Sequence, residues 1–392
     1  MKIGKRLLIG SLVVSMLLVL LPLGSAMAAK ESVTIGLQGP ITGPWAYEGE
    51  MAEHSCRIAA TLINEKGGIL GGRMIELVVA DDSGTPKDGV LAAQRLVAQG
   101  VAAAVATYGS SICRPSSDIY EKGKMINIGY GVTFVGLTQR GLNYFFRTCG
   151  RDDTQGVFFA KYTTETLGKK RIAIMHDNTT FAKGVAEETK KALQEKIKAG
   201  KAEIVYYDAI TPGEKDYTPS LTKLRDANPD VWYFTGYYPE GGLLIRQARN
   251  LGIDCLFVGS NAVINEDFIK IAGLDVAEGC LMTQEPMPET LPFPESKEFL
   301  KAYREKYGTI PTSPWPVYGA DALNVIAYAI DKTGSTNPDA LADFLRHGLK
   351  KSPMPGVTGP VSFTEQGDRV GVPYQMYVVD EEGKIVLYEP GK

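Results

Sequence analysis

Short apolar runs and amphipathic stretches take turns along most of this chain. Residues 32–37 predict a strand. A helix follows, with Ala52, Cys56, Ala59, Ala60 and Ile63 on one face. The Gly-rich stretch at 66–72 ends it with a turn. Residues 74–80 predict a second strand, and Pro86 sits in the first turn of a helix reaching Val97. Residues 101–107 and 125–128 predict a third and a fourth strand. Such alternation implies a parallel sheet covered on both faces.

After residues 145–147 the alternation restarts. Residues 155–166, 181–197, 217–226 and 242–251 predict helices, and 171–175, 202–207 and 231–234 predict strands. The long helix carries Val185, Thr189, Leu193 and Ile197 at helical spacing. Two further helices, 297–307 and 317–330, precede antiparallel segments near 361–363, 374–379 and 385–388. Two doubly wound α/β units without a Pro- or Ser-rich linker imply two lobes sharing a hinge. Ligands of such sheets bind at the carboxyl ends of strands. Two facing lobes put that crevice between them, with closure by hinge motion.

The first residues read as a leader. Lys2, Lys5 and Arg6 precede an apolar run from Leu7 to Leu23, and Ala26-Met27-Ala28 fits the small-x-small cleavage rule. The run is short for a spanning helix, so a signal peptide over 1–28 is expected rather than an anchor. The product is then soluble, exported and periplasmic. Beyond residue 28, 364 residues remain, enough for two cores. The net charge of −3 becomes about −6 without the leader's three cations, and no basic run appears, which argues against nucleic acid as a partner. Five cysteines (Cys56, Cys113, Cys149, Cys255 and Cys280) have no zinc-like spacing. Cys255 and Cys280 each precede a short apolar strand and could be bridged if those strands are neighbours; buried free thiols are the expected state. No metal or cofactor is expected.

Candidate chemistry centres on Tyr108-Gly109-Ser110-Ser111. A strand runs into this turn and a helix leaves it, so unpaired backbone N–H groups and serine hydroxyls make a seat for a small carboxylate. The competing role for these serines is helix capping. The next strand end, Gly129-Tyr130-Gly131-Val132-Thr133, lets a ligand approach the backbone at its glycines, and Thr133 offers a second hydroxyl. No GxSxG elbow, HExxH or Walker lysine motif appears, and the three histidines share no short motif with a nucleophile. Asp81-Asp82 is expected to cap the Pro86 helix rather than hold a metal. His176-Asp177, at a strand end, is expected to be structural.

Together these residues resemble the periplasmic branched-chain amino acid binding proteins of ABC importers, the Leu/Ile/Val-binding type, over essentially the whole chain after the leader. The stretches that carry the resemblance include Asn64-Glu65-Lys66-Gly67-Gly68-Ile69, Ser117-Asp118-Ile119-Tyr120-Glu121, Leu137-Thr138-Gln139-Arg140-Gly141, Gly213-Glu214-Lys215-Asp216, Gly236-Tyr237-Tyr238-Pro239-Glu240 and Arg246-Gln247-Ala248-Arg249. The resemblance implies two Rossmann-like lobes joined by three crossovers, the type I binding-protein fold. Lobe I is then 29–151 plus 285–371, and lobe II is 152–284 plus 372–392. It implies a ligand delivered to a membrane permease and its ATPase, and no enzymatic turnover. The ligand carboxylate falls to Ser110, Gly131 and Thr133, and Tyr237 closes over it.

Other positions depart from the family pattern. Asn261 stands where an acid usually pairs the ligand ammonium, and Phe181 replaces a tyrosine. Glu48 stands at a pocket position that is often aromatic, with Trp45 and Tyr47 beside it. Gly84 and Gly109 stand where the family has a disulfide. A buried ammonium without a carboxylate costs several kcal/mol. Either Glu48 or another acid such as Asp177 supplies the charge, or the ligand is an ammonium-free carboxylate, aromatic or not, or an amide. Trp45, Tyr47, Phe181 and Tyr237 would wall such a ligand. Glu48 alternatively serves as a solvated acid at a helix start. A sensory ligand-binding subunit of the same fold and an exported enzyme are the rival functions.

Overall fold

The computed structural model describes Met1 and residues 31–390. The expected leader and its cleavage site lie outside the described residues. Strands β1 (Val33–Gly39), β2 (Ile75–Asp81), β3 (Ala103–Ala106), β4 (Asn127–Gly129) and β5 (Phe145–Arg147) form a parallel sheet in the order β2-β1-β3-β4-β5. Helices α1 (Ala46–Glu65), α2 (Pro86–Ala98) and α3 (Ser110–Lys122) make its crossovers. The small residues of β3 reflect cover on both faces. Ala104 and Ala106 pack with Ala92, Ala93 and Leu96 of α2, while Ala103 and Val105 join the main core on the opposite side.

The chain then leaves for a second sheet. Helix α4 (Asp152–Lys161) precedes β6 (Arg171–His176), α5 (Thr180–Lys198), β7 (Glu203–Ala209), α6 (Thr218–Ala227), β8 (Val231–Phe234), α7 (Tyr238–Asn250) and β9 (Leu256–Gly259). Helices α8 (Glu266–Ala272) and α9 (Leu274–Ala277) lead into β10 (Leu281–Gln284). From there α10 (Pro294–Tyr307) and α11 (Trp315–Thr333) return to the first sheet and pack on α1. Helix α12 (Pro338–Asp343) and the hairpin β11 (Met354–Gly356)–β12 (Gly359–Val361) follow. The last strands, β13 (Gln375–Val379) and β14 (Ile385–Leu387), pair antiparallel at the edge of the second sheet, whose order is β14-β13-β10-β9-β8-β6-β7. The chain therefore passes between the sheets three times: after β5, after β10 and before β13.

A buried ion cluster fastens the first passage. Arg147, fully buried at the end of β5, meets Asp368 Oδ1 at 2.6 Å, and Arg151 meets Asp368 Oδ2 at 2.5 Å. Arg147 Nη1 also donates to the carbonyls of Val132 (2.8 Å) and Phe134 (2.9 Å). The same cation thus fixes the hinge and the loop after β4.

Several local expectations change. Residues 145–147 are themselves a strand, too short for its pattern to register. Ile197, in the last turn of α5, is more exposed than its helical spacing predicts. The Pro86 helix is capped by Thr85, whose hydroxyl accepts from the Asp88 N–H, not by Asp82. Asp82 is fully buried and accepts from Gln38 Nε2 (3.2 Å), the Gly84 N–H (3.1 Å) and the Thr107 hydroxyl. Strands β9 and β10 are neighbours, yet all five cysteines are free thiols.

Candidate functional site

The site lies where the carboxyl ends of both sheets face each other. From the first lobe come the turn that opens α3, the loop after β4 and the start of α1. Ser110 is fully buried, and its Oγ accepts from the Phe134 N–H at 3.2 Å, which sets the serine turn beside Thr133. Thr133 Oγ1 is buried without a hydrogen-bond partner. Gly131 is glycine for a reason of space: a Cβ there would stand 2.4 Å from the Tyr108 ring.

Aromatic rings fill the centre. Trp45 from the first lobe stacks on Tyr237 from the second, with centroids 4.2 Å apart and planes 25° from parallel. Tyr108 meets Trp45, Tyr237 and Trp315 edge-on at 5.7, 6.1 and 5.9 Å. Phe181 at the start of α5 meets Tyr237 at 5.3 Å. Gly84 and Gly109 now find their use: a Cβ on either would stand 3.2 or 3.0 Å from the Trp45 ring. The ring thus lies against both positions at which the resemblance implies a disulfide. From sequence alone Trp315 carries no role, and Tyr108 is placed only within the turn before Ser110, not among the rings of the site. Their nearest signals are adjacency to Gly109-Ser110 and to Pro314 at the start of α11.

Buried carboxyls surround the rings. Glu48 is not a solvated helix-start acid. It is 1% exposed, with Oε1 accepting from Asn265 Nδ2 of the second lobe (2.7 Å) and Oε2 from the Ser313 hydroxyl (2.6 Å). Those partners close over it from the loop after β9 and the segment before α11. Burial pushes its carboxyl up to about 7. Asp152, at the first turn of α4, has both oxygens buried without a hydrogen-bond partner. Burial pushes it up to about 7, opposed by the nearby Thr133 hydroxyl, which forms no well-aligned bond, and by Arg147. Asp177 accepts from the Thr179 N–H through Oδ1 (2.9 Å), while Oδ2 is unpartnered; burial pushes it up to about 6. Asn261 is fully buried beside Glu285, whose carboxyl burial pushes up to about 7. Asp152 and Glu285 have no periodicity or motif to mark them, since their significance comes from lost solvent. Among the described residues none of these four carboxyls enters an ion pair. The interior cations Arg147 and Arg369 face Asp368 and Asp321 instead.

Other chemistry points elsewhere. His54 stacks on Tyr307, His176 Nδ1 accepts from the Asn178 N–H at 3.1 Å, and His347 lies between Asp343 and Glu365 on the surface. Among the described residues no group of three His, Cys, Asp or Glu could hold a metal ion, and no helix is long and apolar enough to cross a membrane. An open groove of about 1000 Å³ runs between α1, β2 and α10, but none of the ring and carboxyl residues of the site lines it.

Comparison with known proteins agrees with this geometry. The chain is 36% identical to the Leu/Ile/Val-binding protein BraC3 of Rhizobium johnstonii, covering 94% of this chain and 96% of that one. It is 34% identical to the leucine-, isoleucine-, valine-, threonine- and alanine-binding protein of Pseudomonas aeruginosa, covering 89% and 90%. Among solved structures it is similar to the leucine binding protein LivK of Thermotoga maritima (TM-score 0.83, 27% identity, 91% and 98% covered). It is also similar to the branched-chain amino acid substrate binding protein LivJ of Streptococcus pneumoniae, solved with isoleucine (TM-score 0.81, 27% identity, 92% and 100% covered). Residues 32–384 match the family model for periplasmic binding proteins, and with two facing α/β lobes over a buried site the chain belongs to that family.

Proposed function

We propose that this chain is the ligand-binding component of an ABC importer and that its ligand is a neutral amino acid of the branched-chain type. The observation that carries the ligand class is the charge of the cleft. Glu48, Asp152, Asp177 and Glu285 surround the site, and among the described residues none of them enters an ion pair; Arg147, the one cation that acts on Asp152, is itself paired with Asp368. A ligand that brings an ammonium offsets the cost of burying those charges, whereas a bare carboxylate adds to it. The names of the relatives in Rhizobium and Pseudomonas point to the same class.

The ligand carboxylate is assigned to Ser110, Thr133 and the N-terminus of α3, with Gly131 leaving the backbone open. Tyr237 and Phe181 cover the ligand from the second lobe, and Asn261 meets the ammonium. Glu48 holds the lobes at the rim of the pocket. Lobe I comprises 29–151 and 285–371, and lobe II comprises 152–284 and 372–392. Residues 1–28 export the chain to the periplasm, where the closed, loaded form docks on a permease driven by its ATPase. The protein catalyses no reaction.

Thermal shift on refolded, ligand-stripped protein tests this reading. Ligand that binds only the folded state raises Tm by mass action, with about 2.7 kcal/mol of stabilisation at a hundredfold excess over Kd. Leucine, isoleucine or valine at millimolar concentration is expected to raise Tm by several degrees. No shift with any neutral amino acid, together with a shift from a deaminated acid, refutes it.

A further inference from the structure

The family resemblance implies an acid facing the ligand ammonium at position 261, where this chain has Asn261, and the surroundings of Asn261 say how it is aimed. Its Nδ2 donates to Glu285 Oε2 at 3.3 Å. Its backbone carbonyl accepts from Gln284 Nε2 at 2.8 Å, and Gln284 Oε1 accepts from the Glu285 N–H at 2.9 Å. A side-chain amide has one acceptor oxygen and one NH2 donor group, while an ionised carboxylate only accepts. With Glu285 behind it, Asn261 cannot turn over without setting oxygen against oxygen. Its Oδ1 is left fully buried with no partner. A buried acceptor without a donor is costly, so this oxygen is suited to an N–H supplied from outside the chain.

Glu285 is anchored at the hinge. Its Oε1 accepts from the Gly150 N–H at 3.3 Å. A Cβ on Gly150 would stand 2.7 Å from the Tyr374 hydroxyl and 2.9 Å from Glu285 Oε1, so all three groups are in close contact. Residues 150, 285 and 374 lie on the three passages between the lobes. The carboxylate therefore sits where lobe movement displaces it least, directly behind the amide.

We infer that Glu285 is the positioning residue for the ligand ammonium: it fixes Asn261 with Oδ1 toward the ligand and sets a negative charge behind that oxygen. This rests on the amino acid reading above. The acid that the resemblance implies at 261 is thus supplied one side chain back, just beyond β10. Burial raises the Glu285 carboxyl to about 7, which the approach of an ammonium would reverse.

Calorimetric titration with leucine and with 4-methylpentanoate, the same skeleton without its ammonium, tests the inference. Wild type is expected to prefer leucine. Glu285→Gln frees Asn261 to turn over, because a glutamine amide both donates and accepts. Leucine affinity is then expected to fall about 10- to 100-fold, as for a hydrogen bond to a charged group, with 4-methylpentanoate affinity unchanged. Equal losses for both compounds, or unchanged leucine affinity, overturn the inference while leaving the amino acid reading intact. A wild type that prefers 4-methylpentanoate overturns both. The double variant Asn261→Asp/Glu285→Gln returns the charge to the usual position and is expected to recover the leucine preference. If Glu285→Gln alone does not fold, Glu285→Asp carries the test: the shorter acid draws away from Asn261 Nδ2, so leucine affinity is expected to fall with 4-methylpentanoate affinity unchanged, and equal losses for both or an unchanged leucine affinity overturn the inference.

Discussion

Replacing Trp45 with alanine removes a ring that serves both lobes at once. Within the first lobe the ring fills the space over Gly84 and Gly109 and meets Tyr108 edge-on at 5.7 Å. Across the cleft it stacks on Tyr237 at 4.2 Å. The side chain is 8% exposed, so truncation leaves a true cavity. Losses for such large-to-alanine changes run about 3–5 kcal/mol. Of that, the stack with Tyr237 accounts for roughly 0.5–1.5 kcal/mol beyond area burial. At about 1.3 °C per kcal/mol for a chain of this size, Tm should fall by roughly 4–7 °C. Differential scanning calorimetry of ligand-free protein measures the drop. A cycle with Tyr237→Ala separates the shares: coupling of about 1 kcal/mol belongs to the contact between lobes, and the remainder to the first lobe. A Tm within about 1 °C of wild type, or strictly additive single changes, refutes the assignment of Trp45 as the filler of the glycine-lined space and as the contact between lobes.

Three further outcomes follow from the same geometry. Asp368→Ala strands the fully buried Arg147 guanidinium and should cost about 3–5 kcal/mol in urea unfolding, whereas a loss under about 1 kcal/mol would show the cluster to be dispensable. Burial raises Glu48, Asp152 and Glu285 to about 7 and Asp82 and Asp177 to about 6, so between their unfolded values near 4 and those values the folded state binds more protons than the unfolded chain. Ligand-free Tm should therefore fall as pH rises from about 5 to 7.5, against the opposing contribution of His176 and, at the acid end, of lowered carboxylates such as Asp81, Asp153 and Asp230, and a Tm that climbs over this range contradicts the sign. Ser110→Ala should weaken leucine binding about tenfold with Tm of the free protein kept within about 2 °C, and unchanged affinity removes Ser110 from the carboxylate seat.

The architecture was readable because local pattern and tertiary cover agree. The β3 run of small apolar residues and the amphipathic α5 each carry their period in sequence. Where the structure adds elements, as at β5, α8 and α12, the segments are of seven residues or fewer and take their form from neighbours. The strand-end turns at 109–111 and 129–133 were visible because Gly, Ser and Thr mark a bend and its exposed backbone. Glu48, Asp152 and Glu285 were not readable in the same way. A carboxyl on a first helical turn is normally solvated, and only Asn265 and Ser313, more than 200 residues away, bury Glu48. Trp45 likewise looked like a neighbour of the pocket position. Its place over Gly84 and Gly109 depends on three segments meeting.

The central claim is that this cleft, lined by unpaired acids, is built for a ligand carrying an ammonium. The most direct measurement is the ratio of affinities of the ligand-stripped wild-type protein for leucine and for 4-methylpentanoate, by calorimetric titration at pH 7.5. Losing a partner for buried charges costs about 3 kcal/mol or more, so leucine should bind at least about a hundredfold tighter. Equal affinities, or tighter binding of 4-methylpentanoate, would contradict the account.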